Sequence, residues 1–280
     1  NTRAAAGRAA ESKGGTMSSG KIRPGEAVIG DDPASAIHLW DHAGRGLELD
    51  ARPNANGYSG QCQPFPVAMP VLTKQEVIDR VRQTERYKSR VSDLVGYMQW
   101  PCKDQQSTNY CWANATVYAL ELALLKQGQR PPKLSPASVA APIKGFRNQG
   151  GWGGDALKYL RQNGAVPVDM WPANAIERRY QTPEAATAAA DYKVTDWIEV
   201  EPRNILQAAT LLLMGYPISA GFNWWGHQVC LEDVVILDGE ICWRIRNSWG
   251  PSWGQNGYGI LRGSRARFDD AVCPAAGSLQ

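Results

Sequence analysis

The chain has 280 residues, 43% of them hydrophobic, and a formal net charge of only +3. This length and composition are those of a globular protein with one large or two modest domains, and the small charge argues against nucleic-acid binding. No apolar run reaches the length of a membrane span, because the longest candidate, residues 205–214, is interrupted by Gln207 and Thr210.

The N-terminal quarter carries little sign of an independent core. Residues 1–25 are rich in Ala, Gly, Ser and basic side chains, a composition that predicts a flexible basic arm. Residues 26–60 hold short apolar runs separated by Gly, Asp and Pro, which predict short strands or loops, and the proline-rich stretch 63–72 is predicted to run extended. His38 and His42 lie here without nearby cysteines or carboxylate clusters, so we interpret them as solvated histidines and expect no metal site.

A surface helix is predicted at residues 73–95. Thr73 followed by Glu76 forms a capping-box pattern, and four valines then make an apolar stripe along an otherwise charged helix. Such a helix docks on a neighbouring domain. We therefore divide the chain into the arm, an N-terminal extension over 26–98 and a main domain over 99–280.

A buried helix with a cysteine in its first turn follows. The polar turn 103–110 leads into the apolar run 112–125, with Asn109 as the predicted N-cap and Gly128 as the stop signal. Backbone N–H groups and the helix dipole favour a thiolate at Cys111. A free cysteine is also a common core residue, so this stretch alone leaves a reactive thiol and a packed one equally open.

The other cysteines do not form a complete disulfide framework, because setting the helical one aside leaves an odd number. The predicted hairpin turn at 238–239 places Val235 opposite Cys242 and Cys230 opposite Asn247. Cys230 and Cys242 are then too far apart to bond. The cysteines left undecided are Cys62, Cys102 and Cys273.

The pattern changes from helical to antiparallel β near residue 191. The elements predicted beyond the cysteine helix are a short helix opening at 134–138, a glycine-rich loop at 150–154, a helix at 155–162, strands at 192–200, 217–222, 227–237, 241–246 and 257–261, and a helix at 202–214.

A cysteine nucleophile needs a base, a group that orients the base, and donors for the oxyanion. His227 is the only one of three histidines that begins a strand in this patterned half. The hairpin register brings Asn247 within about three positions of it, so the amide oxygen can orient the imidazole. The N–H of Cys111 and the side-chain amide of Gln105 are the candidate oxyanion donors.

These motifs resemble the papain family of cysteine peptidases. The parts that match are Gln105, Cys111-Trp112 at a helix start, a Gly-Trp-Gly-Gly loop at 151–154, His227 opening a strand, and the Asn-Ser-Trp-Gly to Asn-Gly-Tyr block at 247–259. The resemblance spans roughly residues 100–273. It implies an α+β, two-lobed papain-like fold, in which a helical lobe and an antiparallel β-barrel-like lobe enclose the active-site cleft.

The resemblance also implies a role for each matching residue. Cys111 would be the nucleophile, His227 the general base and acid, Asn247 the orienting residue, Gln105 the oxyanion donor, and Trp249 the shield over the His–Asn pair. The implied substrate-binding positions are Gly153, Gly154, Trp253 and, from the short stretch before the histidine, Trp225. The implied activity is a cysteine endopeptidase that cleaves a peptide or protein substrate through a thioester acyl-enzyme, without cofactor or metal.

Several departures mark a divergent member. Thr108 and Gly151 stand where the family has a disulfide pair, and the missing pair favours a secreted or assembly-associated protein over a lysosome-like one. The separation of Cys111 and His227, 227 − 111 = 116 residues, is below the ~130 typical of the family. Side-chain preference is therefore not carried over.

The N-terminal extension matches the family's inhibitory pro-segment only weakly, since Thr84 and Tyr87 replace an aromatic and an asparagine. The roughly ten residues from 95 to 105 reach at most ~35 Å, which the domain itself uses. We therefore expect a packed elaboration in which only residues 26–72 can enter the cleft.

Two other functions remain open from the sequence. One is a papain-fold amidase or acyl-transferase, and the other is a structural component of a larger assembly, such as a virus particle or secreted complex, joined through residues 1–72.

Overall fold

A computed structural model describes residues 22–32, 45–48, 63–65 and 69–278 of the chain. The helices are α1 (Lys74–Tyr87), α2 (Val91–Met98), α3 (Cys111–Lys126), α4 (Ala137–Ile143), α5 (Gly153–Asn163), α6 (Pro183–Ala189) and α7 (Ile205–Leu213), with 3-10 turns at Arg178–Tyr180 and Gly263–Ala266. The strands are β1 (Ala27–Ile29), β2 (Gln63–Pro64), β3 (Lys193–Val200), β4 (Ile218–Phe222), β5 (His227–Leu237), β6 (Glu240–Arg246), β7 (Tyr258–Leu261) and β8 (Asp270–Ser278). None of the helices within these ranges is long and apolar enough to cross a membrane.

The described strands form one sheet in the order β1-β7-β6-β5-β4-β8-β3-β2. The edge strands β1 and β2 pair in parallel with β7 and β3, and the remaining pairs are antiparallel. Both edge strands come from the N-terminal extension. Residues 26–98 therefore contribute strands to the same sheet as the main domain.

Helix α3 lies between the helical layer and the sheet. Every residue from 111 to 125 is buried, as the unbroken apolar run predicts. Its apolar side chains pack with those of α4 and α5 on one side, while Thr116 contacts β4 on the other. Because of this central position, the first turn of α3 lies at the boundary between the helices and the sheet. A helical lobe beside a β lobe is the arrangement expected from the sequence.

The helix predicted at 73–95 is two helices. The chain adopts a left-handed conformation at Lys88, with φ of 50°, which ends α1. Arg90 then starts α2, where its backbone N–H donates to Asp93 Oδ2 at 3.2 Å. The valine stripe continues across the break, since Val77, Val81, Val91 and Val95 are all buried. The predicted apolar stripe is confirmed, but the valine pattern does not indicate that the helix ends and a second one begins between residues 87 and 91.

The hairpin of β5 and β6 differs from the predicted register by one residue at its far end. Val235 lies opposite Cys242 as predicted, but a bulge between Leu231 and Asp233 places Cys230 opposite Arg246 rather than Asn247. Cys230 and Cys242 are free thiols, as are Cys102, Cys111 and Cys273. Cys62, His38, His42 and most of the predicted basic arm lie outside the described residues.

Strand β1 is held by a buried ion pair. The guanidinium of Arg244 on β6 donates to both carboxylate oxygens of Glu26, through Nε at 2.6 Å and Nη2 at 3.2 Å. Both side chains are fully buried, and Asp233 Oδ2 lies 3.6 Å from Arg244 Nη1. The N-terminal edge strand is therefore part of the interior of the domain.

Candidate active site

Cys111 opens α3 at the boundary between the two layers. The N-cap is Tyr110, without a side-chain cap, rather than the predicted Asn109, whose amide donates to the Asn148 carbonyl instead. Burial is the largest influence on the pKa of the Cys111 thiol, and backbone hydrogen bonding from Gln228 and Gly46 acts against it. Burial raises the pKa of the thiol to about 12, so Cys111 is protonated in this state.

His227 and Asn247 form a hydrogen-bonded pair. His227 Nε2 lies 2.8 Å from Asn247 Oδ1, which also accepts the N–H of Ser248 at 2.8 Å. Because the Ser248 N–H identifies that atom as the amide oxygen, Nε2 must carry the proton. The imidazole is thus fixed in the tautomer that leaves Nδ1 as its basic nitrogen. The effect of the Gln228 backbone on the pKa of Cys111 indicates that this end of β5 lies near the thiol.

Aromatic rings enclose the imidazole, which is fully buried. The Trp225 ring centroid lies 4.8 Å from that of His227 in an edge contact, and the Trp249 centroid lies 4.6 Å away in a tilted contact. Trp253 packs against both tryptophans at 6.4 and 6.1 Å, and Trp224 stacks on Trp225 at 5.3 Å. Trp225 and Trp249 therefore contact the histidine ring, and Trp253 packs against both of them. Together the three rings exclude water from the His–Asn pair.

Gln105 is brought to the same place by a short antiparallel contact. Asp104 bridges to Trp249, and the Gln105 N–H donates to the Ser248 carbonyl at 2.8 Å. In the side chain, Oε1 accepts the Ser248 hydroxyl at 2.5 Å and Nε2 donates to the Thr108 carbonyl at 2.7 Å. Both ends of this buried amide are thus held in place, one of them by the residue after Asn247.

Residues 45–48, which we call the cleft segment, bridge the two layers beside Cys111. On the helical side, Gly46 accepts from the Gly151 N–H at 2.8 Å and the Glu48 N–H donates to the Gly151 carbonyl at 3.0 Å. On the sheet side, the Leu47 N–H donates to the Gly226 carbonyl at 3.3 Å. These residues lie within 26–72, the only stretch that the sequence analysis left free to enter the cleft, and their contacts contribute to the burial of the thiol.

Side chains add to the attachment of the cleft segment. Lys144 Nζ lies 2.9 Å from Glu48 Oε2, and the Leu47 side chain is buried. Gly46 packs so closely that a Cβ there would lie 2.0 Å from the Asn109 carbonyl oxygen. Gly46 is therefore the position at which the segment has no room for a side chain.

The 150–154 loop contains Gly153 and Gly154, for which the family match implies substrate binding. Gly153 and Gly154 form the first turn of α5, and the backbone pairing with the cleft segment is made by Gly151 instead. A Cβ at Gly151 would lie 2.4 Å from the Trp112 ring, so a cysteine does not fit there. The contacts of Gly46, Gly151 and Gln228 were not predicted from the sequence, because nothing local distinguishes these residues from other loop and strand residues.

Among the described residues no group of three or more His, Cys, Asp or Glu side chains could hold a metal ion. The chemistry that the arrangement supports is that of a thiol beside an oriented imidazole, with amide and backbone donors nearby. This is the site of a cysteine-peptidase-like protein with the papain-like fold.

Comparisons with known proteins agree with this class. A family model described as papain family cysteine protease matches residues 95–231, a range that includes Gln105, Cys111 and His227 but ends before Asn247. Oryzain gamma chain of Oryza sativa subsp. japonica is 24% identical over 197 residues, covering 62% of this chain and 54% of the relative. Cathepsin K of Mus musculus is 26% identical over 206 residues, covering 64% and 62%. The family model covers 137 of the 280 residues, and the chain is similar to papain family cysteine proteases over that range.

Solved structures show the same fold. Procathepsin L 3 from the larval midgut of Tenebrio molitor superposes with a TM-score of 0.60 at 17% identity, covering 86% of this chain and 77% of that one. Xylellain, a cysteine protease from Xylella fastidiosa, gives a TM-score of 0.51 at 21% identity, covering 62% and 82%. The matches to curated relatives span about half to three fifths of their length.

Proposed function

We propose that this protein is a cysteine endopeptidase that acts through a thioester acyl-enzyme, and that the described state is its latent form. The observation that carries the proposal is the hydrogen bond between His227 and Asn247, on a strand whose next residue, Gln228, lowers the pKa of Cys111. In this proposal the site combines a nucleophile, Cys111, with an oriented base, His227, and a backbone donor, Gln228.

In this proposal His227 takes the thiol proton through Nδ1, and Sγ attacks the substrate carbonyl carbon. The oxyanion that forms is bound by the Cys111 N–H and the Gln105 amide. Collapse of the tetrahedral intermediate breaks the C–N bond, and the imidazolium gives its proton to the leaving amine. Water, deprotonated by His227, then attacks the thioester, which releases the acid and restores the thiol.

Asn247 and the tryptophans support this sequence without reacting. The amide oxygen of Asn247 stabilises the imidazolium and fixes its orientation, and the rings of Trp225 and Trp249 keep competing water away. We propose Gly151 as the main backbone contact of a bound peptide, because the cleft segment uses that residue in this way. The sequence-implied Gly153 and Gly154 then shape the start of α5, and Trp253 backs the tryptophan group.

The cleft segment must leave before a substrate can bind, because both would bond to Gly151. The test is digestion of a peptide library by the wild type, by Gly46→Ala, which expels the segment, and by Gly46→Ala combined with Cys111→Ala. We expect cleavage by Gly46→Ala only, or much faster than by the wild type, and none by the double variant. Absence of cleavage by an opened, folded and alkylatable enzyme would reject the endopeptidase proposal.

A further inference from the structure

A chain of buried hydrogen bonds runs from β5 to α3 directly behind the site. Gln228 Nε2 donates to Ser219 Oγ at 2.8 Å, and Ser219 Oγ lies 2.9 Å from Thr116 Oγ1. Thr116 Oγ1 in turn donates to the Trp112 carbonyl at 2.7 Å. All three polar side chains are completely buried. The chain thus connects the residue after His227 with the residue after Cys111.

The direction of these hydrogen bonds is fixed by counting protons. Each hydroxyl has one proton to donate. Since the Thr116 proton goes to the Trp112 carbonyl, the Ser219 proton must go to Thr116, and Ser219 must accept from Gln228. The amide N–H of Gln228 meets that requirement. An ionised glutamate of the same shape would put a second acceptor against Ser219 and break the chain.

Gln228 also contacts the third element that borders the site. A Cβ at Gly153 would lie 2.2 Å from Gln228 Nε2, so the first residue of α5 is a glycine against which the amide packs. Backbone hydrogen bonding from Gln228 also lowers the pKa of Cys111. One residue therefore joins β5, β4, α3 and α5 through its side chain and reaches the sulfur through its backbone.

We propose that Gln228 is a positioning residue for the Cys111–His227 pair, which acts by holding the start of β5 in register with the first turn of α3. This inference rests on the proposed peptidase function. The side-chain amide does not contact the reacting atoms. Its effect passes through the Gln228 N–H, whose hydrogen bond to the thiolate weakens steeply as the angle departs from linear.

The expected effect is a loss of thiolate stabilisation. In the opened Gly46→Ala enzyme, Gln228→Glu and Ser219→Ala should lower kcat about fivefold to tenfold while KM changes little. Because a less stabilised thiolate forms at higher pH, the acid limb of the pH profile should move upward by about half a unit to one unit. Thr116→Val should act in the same direction, and Thr116→Ser, which keeps the hydroxyl, should restore the original profile.

The matched control is Ser138→Ala, which removes another buried hydroxyl that bonds to backbone within the helical layer, away from the sulfur. It should alter thermal stability as Ser219→Ala does but leave the pH profile in place. An unchanged profile in Gln228→Glu and Ser219→Ala would overturn the inference, and so would a Thr116→Ser variant that behaves like Thr116→Val.

The pH dependence of Cys111 alkylation separates this inference from the proposed function, because it requires no peptide hydrolysis. If the opened enzyme cleaves no peptide but its alkylation profile shifts in Ser219→Ala and not in Ser138→Ala, positioning stands and the peptidase proposal fails. If peptides are cleaved and neither profile shifts, the peptidase proposal stands and positioning fails. If Gln228→Glu does not fold, the serine and threonine variants decide.

Discussion

Replacing Gly46 with alanine should expose the thiol that the cleft segment covers. The new Cβ would lie 2.0 Å from the Asn109 carbonyl oxygen and cannot be accommodated. We expect the cleft segment to give way, because the contacts described for it are three backbone hydrogen bonds, one ion pair and one buried leucine. Asn109, in contrast, directly precedes the buried helix α3.

The magnitude follows from the thiol pKa. Burial raises it from an ordinary value of 9.0 to about 12. At pH 7.5 the thiolate fraction is then roughly 3 × 10⁻⁵ when covered and roughly 3 × 10⁻² at the ordinary value, a ratio of about a thousand. Since the thiolate is the nucleophile, iodoacetamide should alkylate Cys111 up to about a thousandfold faster in Gly46→Ala.

The assay is the alkylation rate of Cys111 at pH 7.5, with the modified peptide identified by mass spectrometry because Cys102 is partly exposed. Gly96→Ala is the control, since a Cβ there meets no atom within 4 Å. Lys144→Ala removes the ion pair to Glu48 without any clash and should change the rate in the same direction. Equal rates in the wild type and in both cleft variants would refute the view that residues 45–48 keep the thiol protonated.

Three further predictions concern the oxyanion donor and the buried charges. Gln105→Ala should lower kcat about 10²- to 10³-fold in the opened enzyme, measured by peptide hydrolysis, while Cys111 alkylation stays near its original rate. Glu26→Ala removes the main partner of the buried Arg244 and should cost about 3–5 kcal/mol in urea unfolding, against no more than about 0.5 kcal/mol for the exposed Glu240→Ala. Burial raises the pKa of Glu232, so its contribution to stability is present below pH 4.5 and is lost as pH rises through the higher folded value. Stability in Glu232→Gln should lack this decrease, and parallel pH curves for the two proteins would contradict the assignment.

The sequence could locate the strands of the second half because their signals are local. Alternation and the Asp238-Gly239 turn predict a strand at 227–237, and β5 has those bounds. Strand β8 was missed. Its sequence contains Pro274 and a run of Ala and Gly rather than alternating β-branched residues, and it is a strand because it pairs with β3 and β4 on either side.

The site shows the same division between local and long-range information. The bulge at Glu232 shifts the register between β5 and β6 by one residue, yet Asn247 still reaches His227 because it lies beyond the end of β6. Gln228 could not be recognised, since its role depends on a serine in another strand and a threonine in a distant helix. Such pairings follow from tertiary packing, which no local sequence window contains.

The order in which the N-terminal segments can leave follows from what each one buries. Strand β1 carries Glu26 into full burial against Arg244, and removing it would leave that arginine without its main counter-charge, a change that costs several kcal/mol. The cleft segment carries Glu48, which is partly exposed and pairs with Lys144 near the surface, where an ion pair contributes at most about 1 kcal/mol. Release of the cleft segment also exposes the backbone N–H and C=O groups that it had paired with Gly151 and Gly226, and water can form hydrogen bonds with these groups. We therefore expect displacement of residues 45–48 to expose Cys111 while β1 stays in the sheet.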